Sequence, residues 1–326
     1  IIDARSGDAY PGLNLMSQNL LGTSFTSVGY KYNLNEETGT YFLKYSYTGF
    51  YPALDFDMDY GRRNITLNAS THGQVTYYYN EFNAGGWLRV PLNWTVRSWF
   101  IGMQPYAGYS YKYLDMDKGQ EVKFRKDRFN SFNSRFYFYA QSRMSERDLH
   151  PRWAQVFDVN YRQTLFESDT SSSLFAAEVD LYFPGLVRHH SLRLYGGYQH
   201  RIYKYYSYSD QIIMPRGYSG IYAGRIFTGS VNYEFPVFCP DWHIGPVLYL
   251  KRLKAGIFYD HAITFNKDSN EDYNSLGLDL TFDFHLFRLF APFEAGLRTI
   301  YFPQTQKVGF EFLYSLNLSY YFSDKT

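Results

Sequence analysis

The feature of the sequence that most limits its fold is a long alternation of apolar and polar residues with a period of two. The clearest run is GFEFLYSLNLSYYF, in which Phe310, Phe312 and Leu318 share one face and Glu311 and Asn317 share the other. Successive side chains of a strand point to opposite faces of its sheet, so this period predicts β-strands. Such runs are about nine to fourteen residues long, whereas soluble strands average about five or six and membrane-crossing strands need about nine to eleven.

Acidic residues occupy the polar face of another alternating run, ALDFDMDYG. These acids are Asp55, Asp57 and Asp59. We interpret them as an acidic stripe on the water-filled wall of a lumen, paired with Arg135 or Arg143 of other strands. The functional alternative is that the stripe belongs to a cation-selective pore.

Fifteen strand cores are obtained when the alternating runs are counted backward from Phe322. The cores are 11–18, 24–33, 40–49, 53–63, 77–92, 98–114, 129–143, 153–166, 174–184, 190–204, 225–238, 247–264, 273–286, 292–303 and 309–322. Membrane barrels made by single bacterial chains have an even number of strands, so we expect a sixteenth strand before Tyr10, in IIDARSGD or upstream of it.

The connections between these cores alternate between short and long, as they do in outer-membrane barrels. The short ones are Thr48–Pro52, Pro184–Arg188 and Arg288–Ala291, and the long polar ones are Asn64–Gln74, Asp115–Phe129 and Asn266–Asp272. The sequence therefore predicts an all-β fold, a transmembrane antiparallel β-barrel of about sixteen strands that forms one domain over residues 1–326. A water-soluble all-β protein, whose strands also alternate, is the alternative.

Composition restricts the classes of function. The net charge of +1 gives no reason to expect nucleic acid as a partner. Aromatic residues make up 21% of the chain, which suits both strands and the boundary between lipid and water. Four tryptophans, Trp94, Trp99, Trp153 and Trp242, lie close to predicted short turns, where such a boundary would fall.

No cofactor, metal site or catalytic activity is expected. Cys239 is the single cysteine, so neither an intrachain disulfide nor a cysteine-based metal site can form. The eight histidines are scattered along the chain, without the spacing that a metal site needs. No serine accompanies a histidine in the way that a hydrolase requires.

Four segments in a fixed order carry a resemblance to a known family. The first is MPRGYSG, which contains Arg216 and falls between the eleventh and twelfth of sixteen strands. It is followed by FTGSVNYEFPV, by AGIFYDHAITF with Phe258 and Asp260, and by the last run, which ends near Tyr320 and Phe322. Together these segments resemble the bacterial surface antigen superfamily, which contains the barrels of BamA, TamA and the two-partner secretion transporters.

The resemblance implies a role for the tetrapeptide Pro215, Arg216, Gly217 and Tyr218. In that superfamily an Arg-Gly-aromatic motif forms the tip of the sixth outer loop, which folds back into the barrel. The resemblance also implies that the terminal aromatic residues of the closing strand are recognised during assembly.

The lumenal partner of this motif is expected on the thirteenth strand. Asp260 and Phe258 are two residues apart and so lie on the same face of the strand. The residues between and beside them form the other face, which is apolar and suits lipid, so Asp260 is expected to face the lumen. An arginine on an inward-folded loop can meet such a carboxylate with two parallel hydrogen bonds, and we predict that Arg216 does so. The chain departs from the family at Pro215, where an aliphatic residue is usual, and at Ala262, where a glycine often follows the aspartate.

The resemblance implies an outer-membrane protein that assists the insertion of outer-membrane proteins or the translocation of polypeptides. Its partners would be outer-membrane lipids, unfolded outer-membrane or secreted polypeptides, and periplasmic or lipoprotein components. Family members carry periplasmic domains before the barrel, so we expect this segment to be the C-terminal part of a longer protein. A passive diffusion channel and a structural barrel of a secretion complex are the alternatives.

Overall fold

A computed structural model of the chain describes residues 11–34, 36–69, 73–116, 127–145, 147–165, 171–203, 207–266, 270–287 and 293–316. The regular secondary structure of these residues consists of seventeen antiparallel strands in one sheet. The strands are β1 (Gly12–Gln18), β2 (Ser24–Asn33), β3 (Thr38–Tyr47), β4 (Ala53–Ala69), β5 (Gly73–Arg89), β6 (Leu92–Val96), β7 (Trp99–Met116), β8 (Arg128–Ser142), β9 (Ala154–Thr164), β10 (Ser173–Pro184), β11 (Ser191–Ile202), β12 (Arg225–Phe238), β13 (Trp242–Ile244), β14 (Leu248–Phe265), β15 (Asn270–Leu286), β16 (Phe293–Phe302) and β17 (Lys307–Leu316).

The strands follow one another around the sheet in chain order. Both β5 and β6 pair with β7, and both β12 and β13 pair with β14. The seventeen strands therefore fill fifteen positions in the sheet, one for each predicted strand core. The all-β antiparallel class is confirmed.

Among the described strands, β1 pairs with β2 and β17 pairs with β16, so these two strands are the ends of the ladder. Residues 1–10 and 317–326, which flank them, lie outside the described residues. The predicted sixteenth strand and the closing-strand residues Tyr320 and Phe322 fall in these two segments.

Side chains alternate between an apolar outer face and a polar inner face. On β4, Phe56 and Met58 are exposed on the outside, whereas Asp57 between them points inward to a hydrogen bond with Trp87. On β14, Ile257 is 52% exposed and its neighbour Phe258 is 3% exposed. An exposed apolar face opposite a polar interior is the pattern of a barrel that is solvated by lipid. No helix that could cross a membrane occurs in the described part of the chain.

One predicted loop is wrong. The sequence predicts a long polar loop at Asn64–Gln74, but β4 runs to Ala69 and β5 begins at Gly73, so most of this segment is a two-stranded ribbon. Its base is tied to the β2–β3 connection, because Arg63 donates two hydrogen bonds of 2.7 Å to the carboxylate of Glu36. The ribbon continues beyond its pairing with β3 and β7, so the apolar and polar alternation of a wall strand is not required of it, which explains why its sequence resembles a loop.

Candidate functional site

A long connection between β11 and β12 folds against the inner face of the sheet. We call residues 207–224 of this connection the inner loop; it is the loop predicted to be the sixth. Its tip is a turn in which the backbone N–H of Tyr218 lies 3.4 Å from the carbonyl oxygen of Pro215. Gly217 has a φ of +79°, and a Cβ at this position would lie 2.5 Å from Cζ of Phe302. Glycine fits here both for its conformation and for the close approach to β16.

Arg216 and Asp260 form the ion pair at the centre of the site. Nε of Arg216 lies 2.8 Å from Oδ2 of Asp260, and Nη2 lies 2.8 Å from Oδ1. The backbone N–H of Arg216 also donates to Oδ2 over 3.0 Å. The side chain of Asp260 is 4% exposed. A bidentate pair with an additional backbone donor fixes both the position and the orientation of the loop tip.

Two further residues of this site were not anticipated from the sequence. Ser230 and Asn232 lie on β12, directly opposite Asp260 and Phe258 of β14. Nη2 of Arg216 donates to Oγ of Ser230 over 3.0 Å and to the amide oxygen of Asn232. The hydroxyl of Ser230 donates to Oδ1 of Asp260 over 2.6 Å. Both residues occupy alternate positions of β12 that face the interior, and this alternation is the sequence pattern that could have identified them.

The guanidinium of Arg216 also lies on the ring of Phe258. Its Cζ is 3.7 Å from the ring centroid, and Cζ of Arg298 is 5.5 Å from the same centroid. The ring can lie flat on the wall because residue 277 of the adjacent strand is glycine, where a Cβ would be 2.6 Å from the ring Cζ. A buried cation–π contact of this kind adds to the ion pair.

Asp279 connects the two arginines. Arg298 donates to both of its carboxylate oxygens over 2.8 and 2.9 Å. Nη1 of Arg216 lies 3.7 Å from Oδ2 of Asp279. The two cations and the two acids Asp260 and Asp279 balance each other in charge, which reduces the cost of enclosing them.

Tyr218 fastens the far side of the tip to β15 and to the β16–β17 connection. Its hydroxyl is 3.0 Å from the carbonyl oxygen of Asn274 and 2.9 Å from Oε1 of Gln304. Its ring makes edge-to-face contacts with Tyr273 and Phe302, each with 5.2 Å between centroids. All four residues of the predicted tetrapeptide therefore lie in one turn that contacts the wall.

The rest of the inner loop is bound to β10, β11 and β12. Asp210 accepts hydrogen bonds from Gln199, over 2.6 Å, and from Arg201. The backbone N–H of Ile213 donates to the hydroxyl of Tyr195 over 2.8 Å. A buried apolar cluster completes the contact, and its members are Ala176, Ile212, Ile221, Ala223 and Ile226. The loop is thus packed on one side of the interior along most of its described length.

The acidic stripe lies on β4, apart from this site, and its predicted partners are wrong. Asp55 pairs with Arg89 over 2.6 Å, and Asp59 accepts from the amide of Asn83 over 2.7 Å. Arg135 pairs instead with Asp158 of β9. Parity alone could not reveal this, because the partner of each acid depends on the register of strands that the sequence does not specify.

Arg143, the other predicted partner of the stripe, lies just after β8 and is exposed. Among the described residues, no group of three histidine, cysteine, aspartate or glutamate side chains could hold a metal ion. The inner-loop site is structural: an ion pair and hydrogen bonds hold the loop to the wall of the barrel.

The fold and this internal loop together define a class, an antiparallel β-barrel with a loop held inside it. Among solved structures, the chain is similar to BamA from Haemophilus ducreyi lacking POTRA domains 1–3, with a TM-score of 0.58 and 14% identity over 95% of this chain and 69% of that one. It is also similar to CdiB from Acinetobacter baumannii, with a TM-score of 0.51 and 13% identity over 95% of this chain and 57% of that one. The chain has the fold of a BamA-like barrel. No family model and no curated protein matches the sequence.

Proposed function

We propose that this chain is the outer-membrane barrel of a protein that inserts or translocates polypeptides. The observation that carries the proposal is the fastening of the inner loop by Arg216 and Asp260 inside a barrel of BamA-like fold. The apolar outer face supports a location in the outer membrane, because such a face is stable when it contacts lipid.

The proposed mechanism uses the ends of the strand ladder. Strand β1 is seven residues long, all of them exposed, and the strand that pairs with it in register among the described strands is β2. A strand edge offers unpaired backbone groups, with which an extended client segment can pair. The inner loop stiffens β10 to β16, so that movement is concentrated in the remaining part of the barrel, which includes β1.

A passive diffusion channel is the second candidate function. It is favoured by a polar cavity of about 730 Å³ that lies beside the inner loop and is lined by β4 to β9. A channel would use this cavity as its pore, with Asp57 of the acidic stripe in the wall.

The two functions differ in conductance and in their effect on client proteins. Planar bilayers containing the full-length protein should show a nearly closed barrel with rare large openings, and Arg216→Ala should make openings more frequent. Arg188→Ala is the matched control, because Arg188 is an exposed arginine in the short β10–β11 connection. Liposomes that contain the protein should also accelerate the insertion of an unfolded outer-membrane barrel. A steady ohmic current that ignores Arg216→Ala, together with no acceleration, would establish the channel instead.

A further inference from the structure

The interior of the barrel contains a second site, which the inner loop leaves free. The loop packs on β10 to β16, and the facing wall from β4 to β9 borders the cavity of about 730 Å³. Tyr208 and Gln211 of the loop close the cavity on its other side. The space therefore lies between a rigid wall and a fastened loop, so its shape is largely preformed.

Two aromatic rings stack on each other at this wall, and we call the pair the platform. Trp87 on β5 and Tyr106 on β7 lie nearly parallel, with 5.4 Å between centroids and 22° between planes. The indole is pressed against the wall at two glycines: a Cβ at Gly108 would lie 2.0 Å from its Cε3, and one at Gly85 would lie 2.5 Å from its Cζ2. The missing side chains thus let a large ring lie along the wall and line the cavity instead of filling it.

The indole is also held at its edge. Its Nε1 donates a hydrogen bond to Asp57 of β4. Asp57 and Trp87 are diagonal neighbours, because Asp57 is paired in register with Gly85. The platform is therefore fixed in orientation before any ligand arrives, which lowers the entropic cost of stacking against it.

The remaining lining is polar and almost neutral. Its charged groups are largely paired within the wall: Arg89 with Asp55, Lys112 with Glu81 and Arg135 with Asp158. Amides and hydroxyls fill the space between them, and they include Gln104, Asn133, Ser134, Asn160 and Thr164. A wall of this kind offers many hydrogen bonds and no strong net field, so it favours an uncharged ligand rich in hydroxyl groups.

We propose that this cavity binds a neutral oligosaccharide, with a sugar ring packed against the stacked pair of Trp87 and Tyr106. The C–H groups of a pyranose face carry partial positive charge and suit the negative face of an aromatic ring. An extended peptide is disfavoured, because the strands of this wall use their backbone groups to pair with each other and leave no edge for it to join.

Saturation-transfer difference NMR of the detergent-solubilised full-length protein tests the proposal, with maltotriose, cellotriose and chitotriose as probes. At least one trisaccharide should bind, and Trp87→Ala should weaken it by about tenfold or more, since the stacking surface is lost. Trp94→Ala is the matched control, because Trp94 is 47% exposed on β6, which pairs with the first residues of β7, and it lies outside the cavity lining. Heat-modifiable migration on gels establishes that each variant is folded.

Gly108→Leu provides a second test, because a side chain there displaces the indole from the wall. It should abolish trisaccharide binding in a folded barrel that still contains Trp87. Absence of binding by all three sugars, or equal binding by Trp87→Ala, would overturn the proposal. If a neutral hexapeptide binds and requires Trp87, while none of the sugars binds, the cavity is a peptide site and the oligosaccharide proposal is wrong.

Discussion

Nε of Arg216 lies 2.8 Å from Oδ2 of Asp260, although 44 residues separate them along the chain. The pair joins the tip of a loop to the inner face of a strand, and Ser230 and Phe258 enclose it from β12 and β14. Because the loop tip is bound to the wall in this way, substitutions in the tip should change the free energy of unfolding of the barrel, as substitutions in a protein core do.

Three glycines of the inner loop form a graded series for substitution by alanine. Gly217 combines a φ of +79° with a clash, Gly220 has a φ of +74° with open space around it, and Gly224 has neither, its nearest contact being 3.8 Å away. We expect Gly217→Ala to cost about 2–3 kcal/mol, Gly220→Ala about 1 kcal/mol and Gly224→Ala close to nothing. Urea unfolding of the barrel in detergent measures the order. Equal effects at all three positions would mean that the tip is not pressed against Phe302.

The ring of Phe258 should stabilise the barrel through its contact with Arg216. Phe258→Leu keeps an apolar side chain and removes the ring face, so we expect a loss of about 1–2 kcal/mol in the free energy of unfolding. Phe227→Leu is the control, because Phe227 is 50% exposed on the outer face. The effect of Phe258→Leu should vanish in an Arg216→Ala background. If it persists there at full size, the ring acts through packing alone.

Removal of the hydroxyl of Tyr218 should loosen the tip without unfolding the barrel. Tyr218→Phe keeps the ring contacts with Tyr273 and Phe302 but loses the hydroxyl, whose single hydrogen is shared between Asn274 O and Gln304 Oε1, at a cost of about 0.5–1.5 kcal/mol. Limited proteolysis from the outer side should then cleave the inner loop several-fold faster than in the wild type. Tyr41→Phe, at an outward position that is 64% exposed, should leave the cleavage rate unchanged.

The strands could be predicted from the sequence because each has one face toward polar surroundings and one toward apolar surroundings. The alternation in ALDFDMDYG and GFEFLYSLNLSYYF follows directly from this division. The ribbon between Asn64 and Gln74 was missed because it rises beyond its neighbours, so neither of its faces needs to be apolar. The alternation of apolar and polar residues arises where the two faces of a strand have different surroundings. It does not identify a strand whose two faces have the same surroundings.

The candidate site was accessible to sequence reasoning only in part. The tetrapeptide at 215–218 and Asp260 stand out through resemblance and parity, and the structure places them in contact. Ser230, Asn232 and Asp279 are small inward-facing polar residues, of which the interior has many. The choice among them depends on strand register and on the path of a loop, both of which are set by tertiary packing.

A double-mutant cycle on Arg216 and Asp260 tests the central claim most directly. Unfolding free energies in detergent would be compared for the wild type, Arg216→Ala, Asp260→Ala and the double variant. Each single variant leaves one buried charge without its partner and should cost about 3–5 kcal/mol, whereas the double variant should cost much less than the sum. The predicted coupling between the two residues is at least about 2 kcal/mol. Additive effects, with a coupling near zero, would show that the loop tip does not meet the wall at Asp260 and would contradict this account.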